Sequence, residues 1–312
     1  MNPDIKFIQN ISIFFATVVV LQSCLQFDPN KESENTGQLK IGIDESYSVL
    51  MQSQVETYLA FHPHAEIIAT YKPETDVIND LMRDTVLAAV VCRDLTADEK
   101  AVFESRQRIV TSIKIATDGL ALVTHPENDS LELTIEQLKD IFSGRTTTWN
   151  QLSSSASADP INIVFDNPGS CNARYIKDEF LNGAEFPANC FAVHSNDEVM
   201  KYVADHKNAM GVVSVAWISD TDDPQAQEFL SNVRVVALSD SAGVYRKPYQ
   251  AYIYDHSYPL RRDVYYIKTG LKETLGTGFA SHLAGPKGQT IIHKSGMVSA
   301  TPPTRVVRLT EE

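Results

Sequence analysis

A chain of 312 residues, 43% apolar and 21% charged, holds enough material for two domains, each with its own core. Its formal net charge of −13 repels polyanions and excludes nucleic acid as a partner. The same field repels a small anion at long range, so any anion affinity must come from local donors inside a cleft.

The chain opens with Lys6 and an apolar run, Ile11 to Leu21, ending in Leu21-Gln22-Ser23-Cys24. The run suits the apolar core of a signal peptide and is too short to span a bilayer. A small residue before a Cys at this point resembles a bacterial lipobox. It predicts removal of residues 1–23, lipidation of Cys24, and a lipid-anchored protein of the periplasm or cell envelope; a signal peptide with a chance Cys is the alternative. Residues 24–37 are polar, lack periodicity and contain Pro29 and Gly37, which predicts a flexible tether. Beyond Cys24 the cysteines are Cys92, Cys171 and Cys190, an odd number without CxxC or Cys/His spacing. That pattern predicts neither a disulfide framework nor a metal site; Cys171–Cys190 is the one bridge considered.

From residue 38 strand and helix signals alternate. LKIGI, AEIIATY and VLAAVVCR read as strands, separated by helical stretches after Ser46 and after Pro73-Glu74-Thr75. Thr96 and Ser195, each followed three residues later by Glu, predict capping boxes. Two apolar runs, 109–117 and 119–125, flank Thr117-Asp118. Thr134 starts a helix that Gly144 stops. INIVF, MGVVSVAWI and VRVVALS read as further strands, with a helix over CNARYIKDEFL between the first two. SSSASADP at 153–160 reads as a surface loop. The alternation predicts α/β lobes with largely parallel sheets. Long β-runs near 109–125 and 248–255 predict two inter-lobe crossings. Lobe one is then residues 38–116 with 246–312, and lobe two 117–245.

Three loops lead from a strand into a helix start with small polar residues: Asp44-Glu45-Ser46-Tyr47, Pro73-Glu74-Thr75, and Asn167 to Asn172. A helix N-terminus offers free N–H groups and partial positive charge, so such loops suit anions. Each of Ser46, Thr75 and Ser170 also reads as a plain N-cap. Arg93 ends an apolar strand, at the sheet edge where α/β sites lie, or pairs with Asp94 or Asp98.

The segment LTIEQLKDIFSGRTTTW closely resembles a block of phosphate-binding proteins of the PstS type, from phosphate ABC transporters. TDGLALVTHPEN, VVCRDLTADE, NPGSCNARYI, MGVVSVAWI, PYQAYIY with YPLRR, and GPKGQTIIHKSGMVSA resemble further blocks in the same order, covering about residues 40 to 304. The resemblance implies the type II periplasmic-binding-protein fold: two α/β lobes joined by a two-strand hinge. Together with the strand-to-helix loops and Arg93, and with two residues peculiar to this chain, it points to a ligand shell of Ser46, Tyr47, Arg93, Ser170, Cys171, Asn172, Arg174 and Asp166 around phosphate or a similar small anion. A membrane permease of an ABC transporter is the implied partner of a monomeric binding protein.

The chain departs from the pattern at several of these positions. Its first loop is acidic. Asp166 stands where many members carry a phosphate-binding Arg, and Asp166→Arg would restore that charge. Leu87, in an apolar strand, falls where the family often has a proton-accepting Asp. Cys92 replaces a Ser and Cys171 a Gly. Arg174 is a candidate for the missing charge. Asp166 is a candidate acceptor for a protonated anion. GxSxG, HExxH and GxxxxGK[ST] motifs do not occur, which argues against an enzyme and implies no cofactor. A lipoprotein sensor or interaction protein with a lost or changed ligand is the competing class.

Overall fold

The computed structural model describes residues 32–128, 131–153, 157–219, 224–240, 243–270 and 273–301. The predicted signal peptide and Cys24, and the middle of the 153–160 loop, lie outside these residues. No helix among the described residues is long and apolar enough to cross a membrane.

The first lobe grows from strand–helix repeats. β1 (Gly37–Asp44) and β2 (Ala65–Lys72) pair in parallel, joined by α1 (Ser48–Phe61). α2 (Glu74–Met82) leads to β3 (Ala88–Val91), an interior strand parallel to β1 and buried at every residue. α3 (Ala97–Ser105) begins with the predicted capping box: Thr96 accepts the Glu99 N–H, and Glu99 accepts the Thr96 N–H. β4 (Val110–Thr124) then fuses the two runs around Thr117-Asp118 into one strand of 15 residues.

The second lobe repeats the scheme. β5 (Glu132–Thr134) and α4 (Ile135–Phe142) precede β6 (Asn162–Phe165), and Gly144, at φ 74°, ends the turn after α4. α5 (Cys171–Leu181) and α6 (Asn196–Asp205) flank β7 (Cys190–Ala192), and β8 (Ala209–Ser214) follows, parallel to β6. After α7 (Pro224–Asn232) come β9 (Arg234–Val235) and β10 (Ala237–Ser239). The chain returns through α8 (Gln250–Tyr254) to β11 (Arg261–Thr269), α9 (Leu275–Ala284), α10 (Pro286–Lys294) and β12 (Val298–Ser299).

The main sheet runs β2-β1-β3-β11-β4-β8-β6-β7. β4 is antiparallel to β11 along Val110–Gly119 and to β8 along Leu120–Thr124, so one strand serves both lobes. This curled α/β sheet with two lobes is the type II arrangement expected. Parallel strands β1 and β3 in one lobe, and β6 in the other, all deliver their carboxyl ends to the same cleft.

Several local expectations change. PYQAYIYD is not a β-crossing. Its aromatic content favours a strand, but Tyr249 C=O accepts the N–H groups of Tyr252 and Ile253, giving α8. Only Ile253 of α8 is buried, packed over Gly119, where an added Cβ would lie 2.5 Å from its Cδ1. MGVVSVAWI leaves the strand at Ser214, whose hydroxyl caps a 3-10 turn, Val215–Trp217. VRVVALS splits between two sheets as β9 and β10. At Ser195 only half of the capping box forms, because Glu198 accepts the N–H of His194 instead. The expected tether is already docked at its end: Ser33 bridges Thr36, and Glu34 C=O accepts the buried Tyr58 hydroxyl. The Cys171–Cys190 bridge is absent; Cys92, Cys171 and Cys190 are all free.

Candidate functional site

The carboxyl ends of β1, β3 and β6 and the starts of α2, α5 and α6 converge between the lobes. Each helix start exposes N–H donors that nothing inside the helix can satisfy. In this chain carboxylates satisfy them, mostly from the opposite lobe. Asp44 Oδ2 accepts the N–H of Cys171, the first residue of α5, at 3.0 Å, while its Oδ1 accepts Ser46 N–H. Glu45 accepts both the backbone N–H and the side-chain amide of Asn196 at the start of α6. Glu74, the first residue of α2, accepts Cys92 N–H at 3.2 Å and the Cys171 thiol at 2.9 Å. Thr75 N–H and Oγ1 both donate to Gly169 C=O, an approach that a side chain at 169 would crowd.

Two arginines meet on Glu74. Arg174 Nε donates to Glu74 Oε1, and Arg93 Nε lies 3.5 Å from the same atom. Glu74 is only 2% exposed. Burial pushes its carboxyl up, but Arg174, the Cys171 hydrogen bond and Arg93 together outweigh burial and hold it below the ordinary carboxylate value. It is therefore a buried, paired anion. Arg174 also reaches Asp178 and Cys92 Sγ, the latter at 2.9 Å. Arg93 makes its main pair with Glu99, two bonds of 2.7 Å, rather than with Asp94 or Asp98.

A second cluster sits deeper. Arg262, at the start of β11, donates to Asp118 Oδ2 at 3.0 Å and to Asn172 Oδ1 at 2.7 Å, and lies over the Tyr47 ring. Asp118 also accepts Ser214 Oγ at 2.8 Å. Asp166 accepts Ser170 Oγ at 2.7 Å, Asn172 Nδ2 at 3.2 Å and Asn196 Nδ2 at 3.4 Å. Burial, with the charge of Asp44 beside it, pushes Asp166 up to about 7. Burial also carries Glu45 to about 7, against the lowering pull of the Asn196 hydrogen bonds. Five carboxylates thus face three guanidinium groups. Trp217 Nε1 closes the arrangement on Ser46 C=O at 3.0 Å.

Seven of the eight candidate side chains hydrogen-bond within these two clusters, and Ser46 joins through its backbone alone, so they do not form a ring of open donors. Ser170 is a true N-cap, accepting Ala173 N–H. Ser46 and Thr75 are not caps: Asp44 caps the 3-10 turn after β1, and Pro73 precedes α2. Ser46 Oγ is buried without a hydrogen-bond partner. Tyr47 is a core residue whose hydroxyl stays 3.5 Å from Asp118. Sequence reasoning missed Glu74, Asp118 and Arg262. Asp118 and Arg262 both stand in the blocks quoted for the resemblance, so the signal was present; their pairing across 144 residues was not. A groove of about 680 Å³ lined by Cys92, Arg93, Lys114, Arg261 and Arg262, among others, opens beside the cluster.

Two lobes meeting over facing strand ends and helix starts define the periplasmic-binding-protein class. The PBP superfamily domain matches residues 28–287, and the chain belongs to that superfamily. It is 23% identical over 272 residues to the phosphate-binding protein PstS of Staphylococcus aureus strain USA300, covering 86% of this chain and 80% of the relative. It is 26% identical over 174 residues to PstS of Staphylococcus epidermidis, where the match spans 55% of this chain and about half, 50%, of the relative's length. A substrate-binding protein assigned to a phosphate ABC transporter, with phosphate bound, from Clostridium perfringens superposes with a TM-score of 0.71 at 22% identity, covering 85% of this chain and all, 100%, of that one. The resemblance to PstS-type proteins read from the sequence holds, and the superposition shows the shared fold.

Proposed function

We propose that this chain is a non-enzymatic, extracytoplasmic solute-binding lipoprotein. It captures phosphate or a similar small oxyanion between its lobes and hands it to the membrane permease of an ABC transporter. Residues 38–116 with 246–312 form lobe one and residues 117–245 lobe two; Cys24 carries the anchoring lipid, and the protein works as a monomer. The observation that carries this reading is the convergence of Arg174 and Arg93 on the Glu74 carboxylate at the start of α2. A buried carboxylate between two guanidinium groups occupies the place that an oxyanion would take, so Glu74 is an internal stand-in that the ligand displaces. Burial raises Asp44, Asp118, Asp166 and Glu45 alike, and protonation among them would bring the cleft's negative charge down towards its three positive charges. Calorimetry of the purified protein with phosphate, sulfate, molybdate and citrate tests the ligand. Saturable heat with phosphate supports the reading, and its absence for all four oxyanions overturns it. Cys24→Ser should move the protein from the membrane fraction to the soluble fraction.

A second reading has its own support. Asp44 and Glu45 occupy the N–H donors of α5 and α6, which suits a sensor that keeps the fold with a lost or changed ligand. Silence towards every oxyanion, with normal folding, selects it.

A further inference from the structure

We propose that Glu74, Cys92 and Cys171 form a binding site for a thiophilic divalent cation of the zinc type, assembled across the two lobes. The two Sγ atoms and one Glu74 carboxylate oxygen lie within 4.8 Å of one another, and all three residues are buried. Tetrahedral zinc, with Zn–S of about 2.3 Å and Zn–O of about 2.0–2.2 Å, sets its ligand atoms roughly 3.5–3.8 Å apart. Cys171 Sγ and Glu74 Oε2 are now 2.9 Å apart as a hydrogen-bonded pair, so the ion would replace the thiol proton and spread that pair by about half an ångström or more. Its members come from the start of α2, the residue after β3 and the start of α5. Sequence spacing could not show it, because the three positions are far apart in the chain. Both cysteines stand where the resembled family carries small residues, Ser and Gly, so two separate departures meet at one point.

Burial, the Cys92 contact and the carboxylates of Asp44 and Glu74 push the Cys171 thiol up, so the incoming cation itself must displace that proton, and fixed donors stand ready for both sulfurs. Cys92 N–H donates to Cys171 Sγ at 3.1 Å, and Arg174 Nη2 donates to Cys92 Sγ at 2.9 Å. Each sulfur therefore receives one fixed donor. Arg174 also holds Glu74, the kind of outer hydrogen bond that orients metal ligands. Charge balances: the cation enters, two S–H bonds break, two metal–sulfur bonds and one metal–oxygen bond form, and two protons leave to solvent. The cluster keeps the same net charge, so the arginines repel the loaded site no more than the empty one. Three protein ligands leave the fourth tetrahedral position open. This site goes beyond the oxyanion reading and holds whichever anion the cleft takes.

The test uses the full chain, reduced and stripped with a chelator. Cadmium is the first probe, because its thiolate charge-transfer band reports sulfur ligation directly; zinc follows by competition with a chromophoric chelator. The expected result is one cadmium per chain with the thiolate band, and release of about two protons when calorimetry is repeated in buffers of different ionisation enthalpy. Cys92→Ser and Cys171→Ser should each weaken binding by at least about 100-fold, while Cys190→Ser leaves it unchanged. Glu74→Gln should weaken cadmium by about tenfold or more yet tighten phosphate, which separates this proposal from the oxyanion reading. Circular dichroism of each variant checks folding. Cadmium binding that survives the Cys92→Ser, Cys171→Ser double variant overturns the proposal. So does a reduced chain that gives no thiolate band and only forms a Cys92–Cys171 disulfide on air exposure.

Discussion

The Asp44 carboxylate at the end of β1 accepts the backbone N–H of Cys171 at the start of α5, 3.0 Å away. That contact joins the lobes through a helix-start donor that the proposed anion would also need. Closure without ligand and binding of ligand therefore compete for the same N–H.

The competition is strongest at Glu74. Glu74→Gln keeps the shape, removes the charge and releases Arg174 and Arg93. Phosphate affinity should rise by at least about tenfold, 1.4 kcal/mol, in calorimetry. An unchanged dissociation constant would mean that Glu74 does not occupy the anion position.

Arg174→Ala should cost stability, because it strands a buried carboxylate. Removing one partner of such a pair costs roughly 3 kcal/mol, which lowers the melting temperature by about 5 °C in a protein of this size. Arg93→Ala should cost much less: Arg93 stands 3.5 Å from Glu74 instead of hydrogen-bonding to it, and spends its two best bonds on Glu99. Scanning calorimetry decides the order of the two variants.

Asp166 and Glu45 predict a pH dependence. Their folded values, about 7, lie above the ordinary 3.8 and 4.5, so the folded state binds more protons between those limits. The stabilisation they add is complete below about pH 4 and lost as pH rises through about 7. Thermal melts from pH 5 to about 8 should show a falling midpoint, and Asp166→Asn should flatten the slope. A midpoint that rises over this range in the wild-type chain contradicts the assignment.

Asp166→Arg is the substitution that the family pattern recommends for phosphate binding. The surroundings of Asp166 lead to a different prediction. Asp166 is buried against Ser170, Asn172 and Asn196, all of which donate to it. An Arg there would leave those three donors without their shared acceptor and force a much larger side chain into a buried site, at a cost of about 3 kcal/mol or more. Loss of soluble protein is the expected outcome, not tighter binding; a folded variant with improved phosphate affinity would refute this.

Much of the scaffold was legible because local rules and tertiary packing agree. The helix after Ser170 begins at its predicted cap, Gly144 takes the positive φ that ends a helical turn, and the apolar VLAAVV run becomes an interior strand. The failures occur where they disagree. Tyr249 to Tyr254 has strand-like composition, but only Ile253 has a buried surface to meet, so a single helical turn results. The site was legible as a set of positions and not as chemistry. Arg93 and Arg174 stood out as charges near loops, yet their shared partner Glu74 looked like an ordinary acidic residue in a first helical turn. Nothing in the local sequence marks a carboxylate that will be buried under residues 18 and 97 positions away.

β4 has a consequence for how the molecule melts. Its amides and carbonyls tie it to β11 in one lobe and to β8 in the other, without a break between. Neither lobe can lose its sheet without stripping part of the strand that completes its neighbour. The two lobes should accordingly unfold in one cooperative transition, and the slowest-exchanging amides should run continuously along β4 from one lobe into the other.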